Sequence, residues 1–412
     1  MRIYIFGTGK GLDYVERCLC EDVQIIAYID NYKEEGATLN NIPIIKQKDI
    51  SNDYDYVVVS LMIYKDIVLE LEQSGIDRDK IISFFDFNDA DDENKWQILD
   101  SFKWRAELQW KHYKEYVMPL LWNINYELSA ERLLGDGLIP KILPADEAIQ
   151  KIVDEHCSMV RFGDNEFEQI RGKERVNYQD VDNSLAVRLK EVLNSSDEKV
   201  IVAIADNYGS LDKYTNDAAS AIREYLTPET REAHMKLLDK NKTYYDAYIS
   251  RPYLMYRDKS TAKKRFNDRK RIWENQDILI VEGKHTRFGV GNDLLDNAKS
   301  IARILCPDKN SYLKYDEIIN TVKDYGKNRL ILIILGPTAT ILAYDLALKG
   351  YWAVDIGQLD TEYEWFLRNT QTKCEIPSKT VSELSRYSEY VTDENDPAIK
   401  KYFQEVVVQI GL

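Results

Sequence analysis

The chain has 412 residues, 44% of them hydrophobic, and this length favours two compact domains over one. A formal net charge of -15 argues against a general phosphate-backbone binder, because nucleic acids and anionic lipids would be repelled on average. Five cysteines without a C-x-x-C pair argue against a secreted disulfide scaffold, so a reducing cytoplasm is the expected location.

The chain begins with a predicted buried strand at 2–6, so no secretory signal is expected, and no apolar run approaches the ~20 residues that span a bilayer.

This first strand is followed by a glycine-rich loop at 7–11, a helix and a second strand that ends at Asp30. This β-turn-α-β order is typical of nucleotide binding, because loop N–H groups meet a phosphate and the acid bonds a ribose hydroxyl. Leu12 occupies the third glycine position of G-x-G-x-x-G, so the motif is degenerate.

Further strands and a helix complete a small Rossmann-like domain, predicted to cover residues 1–90. An acidic stretch and aromatic-rich helices then form a connector at 91–130. The amino-terminal unit resembles the nucleotide-binding-like domains that precede sugar acyltransferases and other surface-glycan enzymes. The resemblance leaves two roles open, binding of a ligand and a structural or assembly function.

From 131 to 412 helices and strands alternate again, which predicts an α/β domain with a mainly parallel sheet. The strands are predicted at 158–162, 199–205, 245–250, 277–281, 329–335 and 352–356. The helices are predicted at 145–156, from 165, at 315–325 and at 338–349. Ligands bind beyond the carboxyl ends of parallel strands, so the loops at those ends are the candidate site.

The loop after strand 158–162 contains a D-x-E pair, Asp164 and Glu166. In extended backbone, side chains two residues apart point to the same side, so both carboxylates can bind one Mn²⁺ or Mg²⁺ ion. Diphosphate oxygens would complete the coordination shell. The alternative is a helix start, in which Asp164 caps the helix and Glu166 is a favourable acid of the first turn.

Three more loops are suited to a phosphate. Arg251 and Arg287 follow predicted strands and can each contact phosphate through two N–H groups, although surface ion pairs are the commoner role of arginine. Gly336 and Thr338 open a helix, where free N–H groups attract an anion, but the same residues suit an ordinary helix start. The donor site is predicted to consist of Arg161, Arg251, Arg287, Asn292, Asp293, Gly336 and Thr338.

A final strand leads into three acids beside aromatic residues, Asp360, Glu362 and Glu364. Aromatic side chains can stack on a sugar or a base, and a carboxylate can deprotonate an acceptor hydroxyl. The alternative is a helix amino terminus at which acids are stabilised by the helix dipole.

Five segments, RFGDNE, SRPY, EGKHTRFGVGND, LGPTATILAYDL and DIGQLDTEYEW, occur in an order that resembles the GT-D-fold glycosyltransferases, a bacterial family first described as a domain of unknown function. The resemblance covers roughly residues 130–390. It implies metal-assisted transfer of a hexose, typically glucose or galactose, from a UDP donor during glycosylation of surface adhesins or polysaccharides. It also implies that Asp164 and Glu166 form the metal and donor diphosphate site.

The final family motif usually reads G-H-x-D-x-E-Y-E-W, and this chain has Gln358 at the histidine position. Glutamine cannot act as a general base, so that role moves to Asp360, Glu362 or Glu364, or activity is weakened or re-specified. The resemblance to the family implies that Glu364 is the favoured base, and Asp360 is the second predicted catalytic residue.

The predicted protein is therefore a cytoplasmic enzyme that uses Mn²⁺ or Mg²⁺, a UDP-sugar donor and a glycan or glycoprotein acceptor. A homo-oligomer and membership of a glycosylation complex are the two assembly states considered for it. One alternative is an NAD-dependent sugar-modifying enzyme that works through residues 1–90, a domain short for both cofactor and substrate and without a following Tyr-x-x-x-Lys. The other is a non-catalytic subunit in which Gln358 marks lost catalysis.

Overall fold

A computed structural model describes residues 1–34, 36–86, 93–173, 179–381 and 396–411. The chain forms two compact units, Met1–Leu120 and Leu121–Leu412. The predicted connector at 91–130 is not a separate segment, because its helices are divided between the two units. Residues 87–92, most of the acidic stretch that precedes and begins this connector, lie outside the described residues. Within the ranges described, no helix has the length and apolar character needed to cross a membrane.

The first unit is built on a sheet, as predicted. Its described strands are β1 (Arg2–Phe6), β2 (Gln24–Ile29), β3 (Thr38–Leu39), β4 (Ile42–Ile45), β5 (Tyr56–Val59) and β6 (Ile81–Ser83). Their order is β3-β4-β2-β1-β5-β6, with parallel pairing except between β3 and β4. The helices are α1 (Leu12–Cys18), α2 (Lys65–Gln73), α3 (Glu93–Ile98) and α4 (Ser101–His112). The β3–β4 hairpin was not predicted because its strands are too short for a hydrophobic pattern.

The glycine-rich loop of the first unit is tightly packed. A Cβ atom at Gly11 would overlap the carbonyl oxygen of Ser60, and Gly7 has a φ of +101° that favours glycine. The Ser60 hydroxyl is 2.9 Å from the carbonyl oxygens of both Phe6 and Gly7. Asp30, the predicted ribose-binding acid, accepts a hydrogen bond from the Thr8 hydroxyl. Both glycines therefore have a structural role that needs no ligand.

We expect Gly11→Ala to lower the free energy of unfolding by about 1–3 kcal/mol, because the added methyl group overpacks a closed contact. Gly9→Ala is the matched control, since a Cβ atom there meets no described atom within 4 Å. Urea denaturation of the full chain, followed by circular dichroism, measures both changes. Equal effects of the two substitutions would contradict the packing explanation.

The second unit contains a nine-stranded sheet in the described residues. Its strands are β7 (Lys141–Leu143), β8 (Ser158–Phe162), β9 (Val200–Ile204), β10 (Thr243–Asp246), β11 (Asp277–Gly283), β12 (Ser300–Cys306), β13 (Leu330–Ile334), β14 (Trp352–Asp355) and β15 (Val406–Gln409). Their order is β15-β12-β11-β13-β14-β8-β9-β10-β7, and every pairing is parallel. This confirms the predicted α/β fold with a mainly parallel sheet.

Helices cover both faces of this sheet. They are α5 (Met118–Gly135), α6 (Ala145–Glu155), α7 (Asp164–Ile170), α8 (Asn183–Leu193), α9 (Asn216–Tyr225), α10 (Pro228–Leu237), α11 (Ala262–Lys270), α12 (Tyr315–Tyr325), α13 (Pro337–Leu348), α14 (Leu359–Leu367) and α15 (Pro397–Glu405). In β13, Ile331 and Ile333 pack in one core, whereas Leu330 and Leu332 pack in the other. A strand buried on both faces needs a continuous apolar run, which is why its position was predictable.

One predicted strand of this unit is partly wrong, and three observed strands were not predicted. The predicted strand at 245–250 is wrong beyond residue 246, because a 3₁₀ turn, Ala247–Ser250, follows β10. The Asp246 carboxylate accepts a hydrogen bond from the Tyr248 N–H at 2.9 Å and so stabilises this turn. Strands β7, β12 and β15 were missed: β7 and β15 are short, and the apolar run of β12 is interrupted by Arg303.

Candidate active site

A cavity of about 1140 Å³ opens at the carboxyl ends of the central strands of the second unit. Loops that follow β8, β9, β10, β11, β13 and β14 line it, as expected for ligand sites in parallel sheets. The predicted site residues that line it are Arg161, Asp164, Glu166, Arg251, Gly336 and Asp360. Predicted residues outside this lining are Arg287, Asn292, Asp293, Thr338 and Glu364.

The D-x-E pair lies in a helix, so the extended backbone predicted for it is wrong. Asp164 and Glu166 are the first and third residues of α7, and Gly163 is the N-cap. Glu166 Oε2 accepts a hydrogen bond from the Gly163 N–H at 2.7 Å, which is the capping contact of a helix start. The helix-start alternative is therefore correct for Glu166 as an acid of the first turn, whereas the N-cap is Gly163 and not Asp164. Both acids also line the cavity.

The electrostatic environment of Glu166 fits a bound cation. The pKa of Glu166 is raised to about 7, because burial and the nearby Asp355 and Asp164 outweigh the lowering effects of the Gly163 N–H and Arg161. The described residues include no group of three or more His, Cys, Asp or Glu side chains that could hold a metal ion. A divalent cation at Asp164 and Glu166 would therefore need further ligands from outside these side chains, such as substrate oxygens.

Arg161 lines the cavity, but its guanidinium contacts protein groups. Nη2 donates to Asp355 Oδ1 at 2.8 Å, and Nη1 donates to Ser250 Oγ at 2.9 Å. The Arg161 guanidinium, predicted to contact the donor phosphate, thus instead joins β8 to Asp355 of β14 and to Ser250 in the turn after β10.

Arg251 lies beside a buried carboxylate. Its Nη1 is 3.9 Å from Glu362 Oε1, while Glu362 Oε2 accepts hydrogen bonds from the N–H groups of Tyr253 and Leu254 at 3.0 and 2.8 Å. Glu362 thus holds the loop that follows β10 against α14. The side chain of Arg251 remains 28% exposed at the cavity, where it can contact an anion.

The helix start after β13 has the geometry of an anion site. Gly336 is the N-cap of α13, its φ is +55°, and Pro337 occupies the first turn. Thr338 is fully buried, and its hydroxyl has no hydrogen-bond partner among the described residues. Gly336 therefore brings the positive end of the α13 dipole to the cavity, whereas Thr338 lies behind it.

Asp360 and Glu364 belong to one buried polar network. Asn292 Nδ2 donates to Asp360 Oδ1 at 2.8 Å and to Glu364 Oε1 at 2.7 Å. Lys379 Nζ donates to the same two acids at 2.7 and 3.1 Å. Sequence reasoning missed Lys379 because it follows no motif. Since Glu364 is outside the lining, the geometry does not support its predicted role as base, and Asp360 is the better placed acid.

Residues 159–384, more than half of the chain, match the family model described as glycosyltransferase GT-D fold. The chain belongs to the GT-D family. This confirms the resemblance inferred from the five sequence segments. Residues 1–82 of the first unit match a second model, described as C2185-like, N-terminal.

Curated relatives of this GT-D protein come from streptococci. It is 38% identical to the probable glycosyl transferase Gly of Streptococcus gordonii over 243 aligned residues. This alignment covers 59% of this chain and 35% of that protein. It is 35% identical to the glycosyltransferase GlyD of Streptococcus pneumoniae serotype 4 over 268 aligned residues. This alignment covers 64% of this chain and 32% of that protein. The chain thus spans about a third of the length of these relatives.

Solved structures with the same fold are also similar to it. One is a domain of unknown function 1792 described as having a distinct glycosyltransferase fold, with a TM-score of 0.63 and 37% identity over 69% of this chain and 100% of that one. Another is described as a new glycosyltransferase from Streptococcus sanguinis, with a TM-score of 0.61 and 35% identity over 66% of this chain and 99% of that one.

The other predicted donor contacts of the GT-D domain have partners elsewhere. Arg287 is buried, and its Nη1 donates to the Ser378 carbonyl at 2.9 Å. Asp293 accepts a hydrogen bond from Tyr363 Oη at 2.6 Å and pairs with Lys270 Nζ at 3.0 Å. These contacts hold the loop after β11, so the geometry does not support direct binding of the donor by either residue.

Sequence reasoning missed one end of the GT-D cavity, which is lined by residues of α7, α9 and α10 and of the loop after β9. His234 is its central polar group: Nδ1 is 2.9 Å from Tyr208 Oη and Nε2 is 3.2 Å from Tyr225 Oη. Burial lowers the pKa of His234 to about 3, so the imidazole is neutral at physiological pH. Its spacing from the other site residues follows no local pattern.

Proposed function

We propose that this GT-D protein is a hexosyltransferase that moves glucose or galactose from a UDP-sugar to a hydroxyl of a glycan or glycoprotein. The supporting observation is that one cavity brings the carboxylates of Asp164 and Glu166 together with Arg251 and the Gly336 helix start. Acids that attract a cation and groups that attract an anion are both needed to bind a metal-associated diphosphate. The family relationship supports the same reaction class.

The main catalytic task in this proposal is to stabilise the UDP leaving group. The bond from the anomeric carbon to the diphosphate oxygen breaks as a bond from that carbon to the acceptor oxygen forms, and negative charge grows on the diphosphate. Arg251 and the amino terminus of α13 would bind this charge. Mn²⁺ or Mg²⁺, held by Asp164 and Glu166, would act as a Lewis acid that neutralises the diphosphate.

In this proposal Asp360 is the general base that accepts the proton of the acceptor hydroxyl. Asp360 lines the cavity, and Gln358, which lines it two residues earlier at the N-cap of α14, cannot accept a proton as a base. Asn292 and Lys379 hold the Asp360 carboxylate in place, so they orient the base in this proposal.

The test is a thermal-shift titration of the full chain with UDP-glucose, UDP-galactose, UDP-N-acetylglucosamine and NAD, each with Mn²⁺ and with EDTA. A UDP-hexose at about 100 times its dissociation constant is expected to add ~2.7 kcal/mol of stability with Mn²⁺ and much less with EDTA. Stabilisation by NAD alone would reject the proposal and place the activity in the first unit.

A second measurement separates an enzyme from a non-catalytic subunit. Metal-dependent release of UDP from the donor is expected of the enzyme, whereas a subunit that only binds would give a thermal shift without turnover. A place in bacterial surface glycosylation, a cytoplasmic location and a homo-oligomeric or complexed state stay predictions of the same proposal.

A further inference from the structure

The large sheet has a weak seam between β14 and β8. These strands pair at a single position, Val354 opposite Met159. On either side of the seam, β8 pairs with β9 at five positions and β13 pairs with β14 at four. Few backbone hydrogen bonds therefore join the half of the sheet from β15 to β14 to the half from β8 to β7.

Side chains bridge this seam at the amino-terminal ends of the two strands. Ser158 Oγ accepts a hydrogen bond from the Ala353 N–H at 2.9 Å and donates to the Tyr351 carbonyl at 3.3 Å. Trp352 Nε1 donates to the Cys157 carbonyl at 3.1 Å. These contacts replace ladder hydrogen bonds far from the cavity.

At the cavity end of the seam, Arg161 is the bridge. Its Nε donates to the Asp355 carbonyl at 3.0 Å, and Nη2 donates to Asp355 Oδ1 at 2.8 Å, so the guanidinium spans from β8 to β14. Nη1 reaches Ser250 Oγ, at the end of the turn after β10, at 2.9 Å. The Asp355 side chain is 3% exposed, and the Arg161 side chain is 19% exposed. A rigid planar fork that joins three chain segments is a contact that lysine cannot reproduce.

The neighbouring backbone leaves room for this fork. Gly357 has a φ of +56°, and a Cβ atom there would overlap the Arg161 guanidinium. The Arg161 carbonyl in turn accepts a hydrogen bond from Thr340 Oγ1 at 3.0 Å. Both the side chain and the backbone of Arg161 are therefore held in position.

The proposed catalytic groups lie on opposite sides of the seam. Asp164 follows β8 and Arg251 follows β10, whereas Gly336 follows β13 and Asp360 follows β14. One UDP-sugar must contact groups from both halves at once. Since misplacement of reacting groups by about 1 Å costs on the order of 100-fold in rate, the width of the seam matters for catalysis.

We propose that Arg161 is a positioning residue whose pairing with Asp355 sets the distance between the two halves of the active site. This inference rests on the proposed function, and it replaces the role of a phosphate ligand that sequence analysis assigned to Arg161. Arg161 and its two partners, Asp355 and Ser250, are called the Arg161 clamp below.

The variants that test it are Arg161→Lys, Asp355→Asn and the double variant, in the full chain. The matched control is Arg188→Lys, because Arg188 Nη2 pairs with Asp345 Oδ1 at 2.6 Å between α8 and α13, outside the cavity lining. With UDP-glucose and UDP-galactose in Mn²⁺, both single variants should lower kcat at least ~10-fold and change KM less than about threefold. The double variant should be about as slow as the slower single variant, because both changes break one contact.

Other kinetic outcomes overturn the inference. A raised KM with unchanged kcat in Arg161→Lys, and wild-type kinetics in Asp355→Asn, would make Arg161 a phosphate ligand. A lower melting temperature with unchanged kcat, measured well below that temperature, would leave the pair a purely structural role.

Hydrogen exchange tests the clamp without turnover. Amide groups at 163–167 and 356–362 should exchange faster in Arg161→Lys and in Asp355→Asn than in the wild type, and not in Arg188→Lys. Unchanged exchange in both segments would overturn the clamp. A wild-type protein that turns over neither donor would instead contradict the proposed function, and the exchange result would still decide the role of Arg161.

Discussion

Asp164→Asn is expected to lower the rate of metal-dependent UDP-hexose turnover by about 100- to 1000-fold, the order lost when one electrostatic contact to a developing charge is removed. The substitution removes one carboxylate from the proposed cation site. Asn retains an oxygen that can accept the hydrogen bond now made by the Asn165 N–H to Asp164 Oδ1 at 3.0 Å, so folding stability should stay near that of the wild type.

The measurement is the initial rate of UDP release with Mn²⁺, together with the melting temperature of each protein. Asp154→Asn is the matched control, because Asp154 is an exposed acid of α6 outside the cavity lining. Full turnover by Asp164→Asn in metal-replete buffer would show that Asp164 is not a metal ligand. A large fall in melting temperature would show instead that the substitution acts on the fold.

Arg303→Met is expected to lower the free energy of unfolding by about 3–5 kcal/mol, the usual cost of removing one partner of a buried ion pair. Arg303 is 2% exposed, and its Nη1 donates to Glu282 Oε1 at 2.6 Å and to the Phe288 carbonyl at 2.9 Å. Its Nε pairs with Glu405 Oε2 at 2.7 Å. The substitution leaves the fully buried Glu282 carboxylate without this cation.

The loss of unfolding free energy caused by Arg303→Met should become smaller as pH falls. Burial raises the pKa of Glu282 above its ordinary value, while Arg303 lowers it, so loss of Arg303 raises that pKa further. A carboxyl group whose pKa is higher in the folded state than in the unfolded state binds its proton more tightly in the folded state. As pH falls, proton binding therefore stabilises the folded variant. Urea denaturation of variant and wild type at pH 8 and pH 5 measures the difference.

The control for this prediction removes both partners. Arg303→Met combined with Glu282→Gln should be less destabilised at pH 8 than Arg303→Met alone, because no buried charge remains at position 282. The ion-pair explanation would be contradicted if the double variant were as unstable as Arg303→Met, or if the loss of unfolding free energy did not depend on pH. Either result would mean that most of the loss comes from the missing packing of the arginine side chain.

The fold was predictable where burial imposes a pattern on consecutive residues. Strand β13 is apolar at every position because both of its faces are covered, and the same is true of β9. Once parallel strands were predicted, Asp164, Arg251, Gly336 and Asp360 were expected at one edge of the sheet, and all four line the cavity. Chain order alone was sufficient for this, because carboxyl ends of parallel strands meet.

The contacts of individual side chains were decided by the tertiary structure. Arg161 meets Asp355 across 194 residues of sequence, and Lys379 meets Asp360 through a loop without any motif. Spacing predicts which loops share an edge, but the direction of a side chain depends on partners that are distant in sequence. The sequence by itself therefore determined the α/β layers and the edge that carries the site. Only packing across the sheet decided which polar groups line the cavity and which support those that do.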